Sequence, residues 1–171
     1  MTSKIPNFKA LTRVKTMVIL ALLSALSVVL ELFLGINSGN FKLHFGYLPV
    51  AISGMLYGIL PSALVGLVAD ILSNLRNFSL PFAFLAVLEG GVYGIFLHKR
   101  QLEKRQMLLQ AVYCQLIISV VIHAGLNTLL LWTLYHYFDP IRFLINAVTF
   151  PIKVLTLYKI LGYRTVFEKY A

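Results

Sequence analysis

Acidic residues are scarce in this chain. Six Asp and Glu stand among 171 residues against fifteen Lys and Arg, a formal net charge of +9. Charged residues of both signs make up 12%, about half the share of a soluble domain. Cysteine is scarcer still. Cys114 is alone, which excludes an intrachain disulfide and a thiolate metal cluster. In its apolar run it reads as a small buried hydrophobe. The four histidines, His44, His98, His123 and His136, are scattered, with no His-Glu-x-x-His or Cys-His spacing to hold a metal. Gly-x-x-x-x-Gly-Lys-Ser/Thr is missing, so that route to ATP is closed. Gly-x-Ser-x-Gly and paired catalytic carboxylates are missing too. The residues point away from an enzyme and call for no cofactor.

Apolar residues fill the gap. They make up 59% of the chain, and the mean hydropathy is +0.84. A soluble core of this size cannot bury that much, so the expected class is an all-α polytopic membrane protein in one domain, 1–171. Met1 to Thr16 is a basic lead-in. The apolar run after it has no convincing small-residue cleavage site and is expected to stay as a span. A charge of +9 on a soluble chain would suggest nucleic acid. Here the cations sit in loops, where they set orientation instead.

Six spans are expected. The first is 17–34, about the length a bilayer requires, with Ala21 and Ala25 one turn apart and Glu31 as its only charge. The second, 47–57, is short. Gly58 to Pro61 is a turn, and 61–75 is the third. Pro81 opens the fourth, 81–97, since proline suits a first helical turn. The fifth, 107–138, is too long for one untilted crossing and should break at Asp139-Pro140. The sixth is 141–161, and 162–171 is a short basic-aromatic tail. With both termini cytoplasmic, the inner segments hold Lys4, Lys9, Arg13 and Lys15, then Lys99, Arg100, Lys104 and Arg105, then Lys159, Arg164 and Lys169. The outer ones hold only Lys42, Arg76 and Arg142, with Lys153 inside the membrane. That bias fixes the expected orientation.

The polar, Gly-punctuated loop from Gly35 to Phe45 then lies outside. Small residues follow it at Ala51, Ser53, Gly54, Gly58, Ala63 and Gly66. Small residues let membrane helices approach closely, and irregular backbone at membrane depth survives where protein or water satisfies it. The stretch reads as lid and floor of a small-molecule pocket.

Outer cations need a reason other than orientation. Lys42, Arg76 and Arg142 sit on three outer segments that a bundle can bring together as an anion site, and Arg pairs with carboxylates through two parallel hydrogen bonds. Their blander role is to anchor helix ends at the interface. Aromatic residues crowd the same level, among them Phe45, Phe78 and Trp132; most suit an interfacial belt, and some would stack on a flat ligand. Asn127 falls roughly 15 Å inward of its helix end and could read a ring edge or join two helices. Glu89, about 12 Å deep, and Lys153, about 15–18 Å deep, could form an ion pair across the fourth and sixth spans; Lys153 could instead touch ligand. Asp70 could pair with Arg76 or cap the next loop.

These features resemble one family, the substrate-binding S components of energy-coupling factor (ECF) vitamin transporters. The likeness lies in the size, the Ala-Leu-Leu-Ser-Ala stretch at Ala21 and Ala25, the long first outer loop, and the block from Phe45 to Gly58 followed by Gly66-Leu-Val-Ala-Asp70. It covers nearly the whole chain. The Phe45–Gly58 block and the Arg142–Lys153 segment, with Asn146 inside it, most resemble the folate-specific members. Lys153 departs from an acidic residue expected in some relatives. The resemblance implies a bacterial plasma-membrane subunit that binds a vitamin from outside under the Gly35–Phe45 loop. It implies docking through Ala21 and Ala25 on a transmembrane coupling subunit driven by two ATPases. Folate, with its flat pterin, aromatic linker and dianionic glutamate tail, suits rings, amides and outer cations. The alternatives are another B-type vitamin or a small permease acting alone. A lone permease would need a polar path through inner halves that offer little beyond Ser24, Ser27, Gln110 and Gln115.

Overall fold

The computed structural model describes residues 13–34, 36–38, 41–43, 45–76, 78–98, 104–136 and 140–170. It is a helical bundle. The helices are α1 (Val14–Phe33), α2 (Tyr47–Tyr57), α3 (Ile59–Ser73), α4 (Leu80–Leu97), α5 (Lys104–Ile117), α6 (Asn127–Tyr135), α7 (Ile141–Gly162) and α8 (Arg164–Tyr170). A π-helical segment, Ile118–Leu126, joins α5 to α6. Among the described residues, four stretches are long and apolar enough to cross a membrane: α1, α4, the continuous helix over Arg105–Leu134, and Phe143–Gly162. The other two, α2 and α3, are apolar but run to 11 and 15 residues. At 1.5 Å per residue they span about 16 and 22 Å, short of a hydrocarbon core about 30 Å thick.

Four local features differ from the sequence expectations. The loop between α1 and α2 carries a short antiparallel pair, β1 (Ile36–Ser38) with β2 (Phe41–Leu43), in the register Ile36↔Leu43, Asn37↔Lys42, Ser38↔Phe41. Only Gly39 and Asn40 separate the strands, a pair of the kind that two-residue hairpin loops use. Helix α3 begins at Ile59, two residues before Pro61, because Gly58 alone makes the turn. Its φ of 92° is left-handed backbone that glycine adopts without strain. The long fifth helix ends at His136, not at Asp139-Pro140. His136 takes φ 50° and returns its N–H to the Leu131 and Trp132 carbonyls, a left-handed C-terminal cap. The tail folds as α8, and its Arg164 is buried.

Helices α2, α3 and α4 pack backbone to backbone. A methyl group on Gly94 would lie 2.3 Å from the Ile59 Cα, and one on Gly90 would lie 2.4 Å from the Ser62 carbonyl oxygen. One on Gly66 would lie 2.7 Å from the Ala86 carbonyl oxygen. Membrane helices associate through such close approach, since lipid gives them no hydrophobic drive toward each other. Buried hydroxyls lock the hairpin: the Ser53 and Ser62 Oγ atoms both donate to the Val50 carbonyl, at 2.7 and 2.9 Å. On the other side of the core, Tyr93, Cys114, Ile118 and Leu157 are fully buried. The Tyr93 hydroxyl donates to Gln115 Oε1 at 3.2 Å, and Gln110 Nε2 donates to the Phe96 carbonyl. Lipid-facing positions stay apolar, as at Leu22, Leu26 and Val29 of α1.

Candidate functional site

A cavity of about 180 Å³ opens among α1, α2, α3, α4 and the π segment. Its walls follow from local sequence. On α1, Leu20, Ser24 and Ser27 face inward, while Ala21 and Ala25 are exposed. Ser27 lines the cavity, and its hydroxyl donates to the Gly46 carbonyl at 2.6 Å, which ties α1 to the start of α2. The first residue of α2, Tyr47, lines the cavity next. Its hydroxyl shares a 2.5 Å hydrogen bond with Thr156 Oγ1 on α7, so the ring is held from two sides. Gly66 and Ala69 on α3 leave room, and Phe82 on α4 supplies a second ring.

The cavity is acidic. Glu31, Asp70 and Glu89 all line it, half of the six acids in the chain. Among the described residues no Lys or Arg lines it. Asn74 caps the end of α3: its Nδ2 donates to the Asp70 carbonyl at 3.1 Å and to the Asp70 carboxylate at 2.9 Å, and both residues line the cavity. Glu89 lies mid-helix in α4, within electrostatic reach of Tyr47, Tyr93 and Lys153. Lys153 Nζ stands 6.0 Å from the centroid of the Tyr47 ring. Lys153 is therefore one side chain behind the cavity wall and faces a ring quadrupole there.

The far wall comes from the π segment and the first turn of α6. His123 and Asn127 line the cavity, one turn apart. Both side chains are half-buried there. Asn146 Nδ2 on α7 donates to the Ser119 carbonyl at 3.0 Å and braces the start of the π segment. Single π turns inside α-helices recur at functional sites, and here one sits where two polar side chains enter a hollow.

The sequence candidates separate on this geometry. Asn127 lines the cavity. Phe45 is half-buried against the core just before α2. Asn146 and Lys153 sit behind the wall. Arg76, Phe78 and Trp132 are exposed, and the Trp132 ring meets His136 edge-on, 6.5 Å between centroids. The side chains of Lys42 and Arg142 lie outside the described residues. Residues not chosen as binding candidates but present in the lining include Ser27, Tyr47, Phe82 and His123. A signal for His123 and Glu89 existed: both are ionisable groups inside apolar spans, which are costly there and mark functional sites.

A substrate-specific component model of ECF transporters matches residues 15–168. The chain belongs to this family. It is 29% identical over 154 residues to the folate transporter FolT of Clostridium novyi (strain NT), covering 85% of this chain and 87% of that one. Its fold matches a crystal structure of FolT bound with folic acid, with a TM-score of 0.78 and 23% identity, over 88% of this chain and 94% of the other. This S component thus keeps the fold of its relatives along nearly its full length.

Proposed function

We propose that this S component captures folate at the outer face of the bacterial plasma membrane and hands it to a coupling subunit for ATP-driven uptake. The carrying observation is the polar cavity, placed in a fold shared with a folic-acid-bound relative. Its 180 Å³ lies below the roughly 300–1,000 Å³ of pockets that enclose a whole drug-sized ligand. One end of folate enters, and the rest extends toward the β1–β2 hairpin, which serves as the lid. Lys42, Arg76 and Arg142 belong to the three outer segments that meet the protruding part. Phe45, Phe78 and Trp132 supply rings at that level. All six apolar stretches cross or enter the bilayer in this reading, α2 and α3 together as a packed hairpin, with both termini cytoplasmic. The excess of inner Lys and Arg supports that orientation.

Docking falls to α1. Ala21 and Ala25 are exposed, on the face that adjoins the buried Ser24 and Ser27. A flat alanine face admits a partner helix closely. Proteoliposomes holding this chain alone should bind folic acid without accumulating it. Adding the coupling subunit, the ATPase pair and ATP should start uptake. Ala21→Trp and Ala25→Trp should keep folic acid binding within about threefold and abolish uptake, since a bulky ring there blocks docking but not the cavity. Accumulation by the chain alone would instead support a lone permease, and loss of binding in the Trp variants would mean the face was misassigned.

A further inference from the structure

We infer that a groove on the outside of the bundle seats one acyl chain of an anionic phospholipid, and that this chain buttresses the wall of the folate cavity. The clause on folate rests on the function proposed above; the lipid site does not. The groove runs between α4 and α6, holds about 520 Å³, and takes in Leu67 of α3 and Leu126 at the end of the π segment. Every side chain that lines it is Leu, Val, Phe, Ala or Pro. It has a floor and edges. Ala83 and Leu85 at its base are 2% and 8% exposed, while Phe84 and Leu129 at its edges are 61% and 59% exposed. Hollows with such walls stay dry and take apolar guests. Leu80 to Val87 is about 10 Å of α4, less than half of a hydrocarbon core about 30 Å thick. The groove therefore lies within one leaflet, where the guest at hand is an acyl chain.

Charge selects the headgroup. The groove begins at Leu80, the first residue of α4, and the N-terminal end of a helix carries partial positive charge. Arg76 is exposed and lies four residues earlier, at most about 14 Å along the chain. Between Asp70 and Glu89 the sequence holds no acid, and Asp70 lines the cavity instead. A lipid phosphate at this mouth meets a guanidinium that can pair with it through two hydrogen bonds. A zwitterionic headgroup would bring a second positive charge to the same place. Leu85 joins the two hollows, because it lines both the groove and the cavity. Its counterparts across the wall are adjacent residues: Leu126 lines the groove and Asn127 the cavity. With the groove empty, this wall lacks packing atoms on one side. A seated chain supplies them, so lipid and folic acid favour the same arrangement and each raises the affinity of the other.

Trp132 reports on the groove. It is the one tryptophan, it is exposed, and it lies one turn after Leu129 on the same face of α6. Phosphatidylglycerol with brominated acyl chains, which quench indole on contact, is titrated into the purified full chain in detergent. Quenching should saturate at one lipid per chain. Brominated phosphatidylcholine should bind at least about threefold more weakly, the scale of one exposed ion pair. Ala83→Leu fills the floor and should weaken lipid binding at least about tenfold. Leu129→Gln, on an exposed edge, sets a polar group against hydrocarbon and should weaken it at least about fivefold; it decides alone should Ala83→Leu fail to fold. Folic acid should bind at least about fivefold more tightly once the groove is saturated. Quenching that rises without saturating, phosphatidylcholine that binds equally well, or folded variants that bind lipid like the parent would overturn the site. So would a dimer in detergent that Leu129→Gln dissociates, which would give the groove to a second copy. Saturable lipid binding with unchanged folic acid affinity would overturn the buttress. A chain that binds phosphatidylglycerol but no folic acid would remove the function proposed above and leave the lipid site standing.

Discussion

Two neighbouring glycines on α4 carry opposite weights. A methyl group on Gly90 would press to 2.4 Å from a backbone oxygen of α3, while one on Gly91 would meet nothing within 4 Å. Gly90→Ala should therefore destabilise the bundle by about 1–3 kcal/mol through overpacking. Gly91→Ala should be neutral or gain up to about 1 kcal/mol from helix propensity. Thermal melting in detergent separates them; similar melting temperatures for the two variants would contradict the backbone contact. Sequence alone marks Gly90, Gly91 and Gly94 as one small cluster. It cannot say which faces a helix, because that depends on rotation about the α4 axis. The polar side chains illustrate the same limit. Glu89 and Asn127 stand out in apolar runs and were legible as site candidates or costly charges. Arg76 was expected as an outer cation, but counting charges speaks to the side of the membrane, not to whether a side chain turns toward a hollow.

At the scale of elements, the helices were legible to within three residues at each end, because each is an apolar run bounded by Pro, Gly or charge. The β1–β2 ladder and the π segment were not. A three-residue ladder gives no periodic signal. A π turn is a register change in a run, Ile118–Leu126, whose apolar composition suits any helix. Its consequence is nevertheless large. Inserting one alanine after Val121 adds a residue to the helical run, which turns Asn127 by about 100° relative to α5. Folic acid affinity should drop at least tenfold while circular dichroism keeps its helical signal. Unchanged affinity would mean that the π register does not aim Asn127.

Across the whole molecule, topology is the open expectation with the cleanest readout. Cys114, the one cysteine, is fully buried, so a Cys114→Ser background should be well tolerated and silent to thiol reagents. A single cysteine introduced by Thr2→Cys should resist a membrane-impermeant maleimide on intact cells, and one introduced by Ser38→Cys should react. The reverse pattern would invert the chain and put the hairpin inside. The fold class and the family were readable from sequence because apolar runs and loop charges are global properties. The composition of the cavity was not, since it assembles residues from α1, α2, α3, α4, the π segment and α6 that no local spacing joins.

Titration of the purified chain with folic acid, beside an Asn127→Phe variant, probes the cavity most directly. Asn127→Phe fills the hollow and removes one of its amides without touching the α1 docking face or the outer cations. The unaltered chain should saturate at one folic acid per chain. The variant should bind at least about 100-fold more weakly, with a melting temperature close to the parent's. Equal binding by the two proteins would place the ligand elsewhere on the molecule and contradict the account.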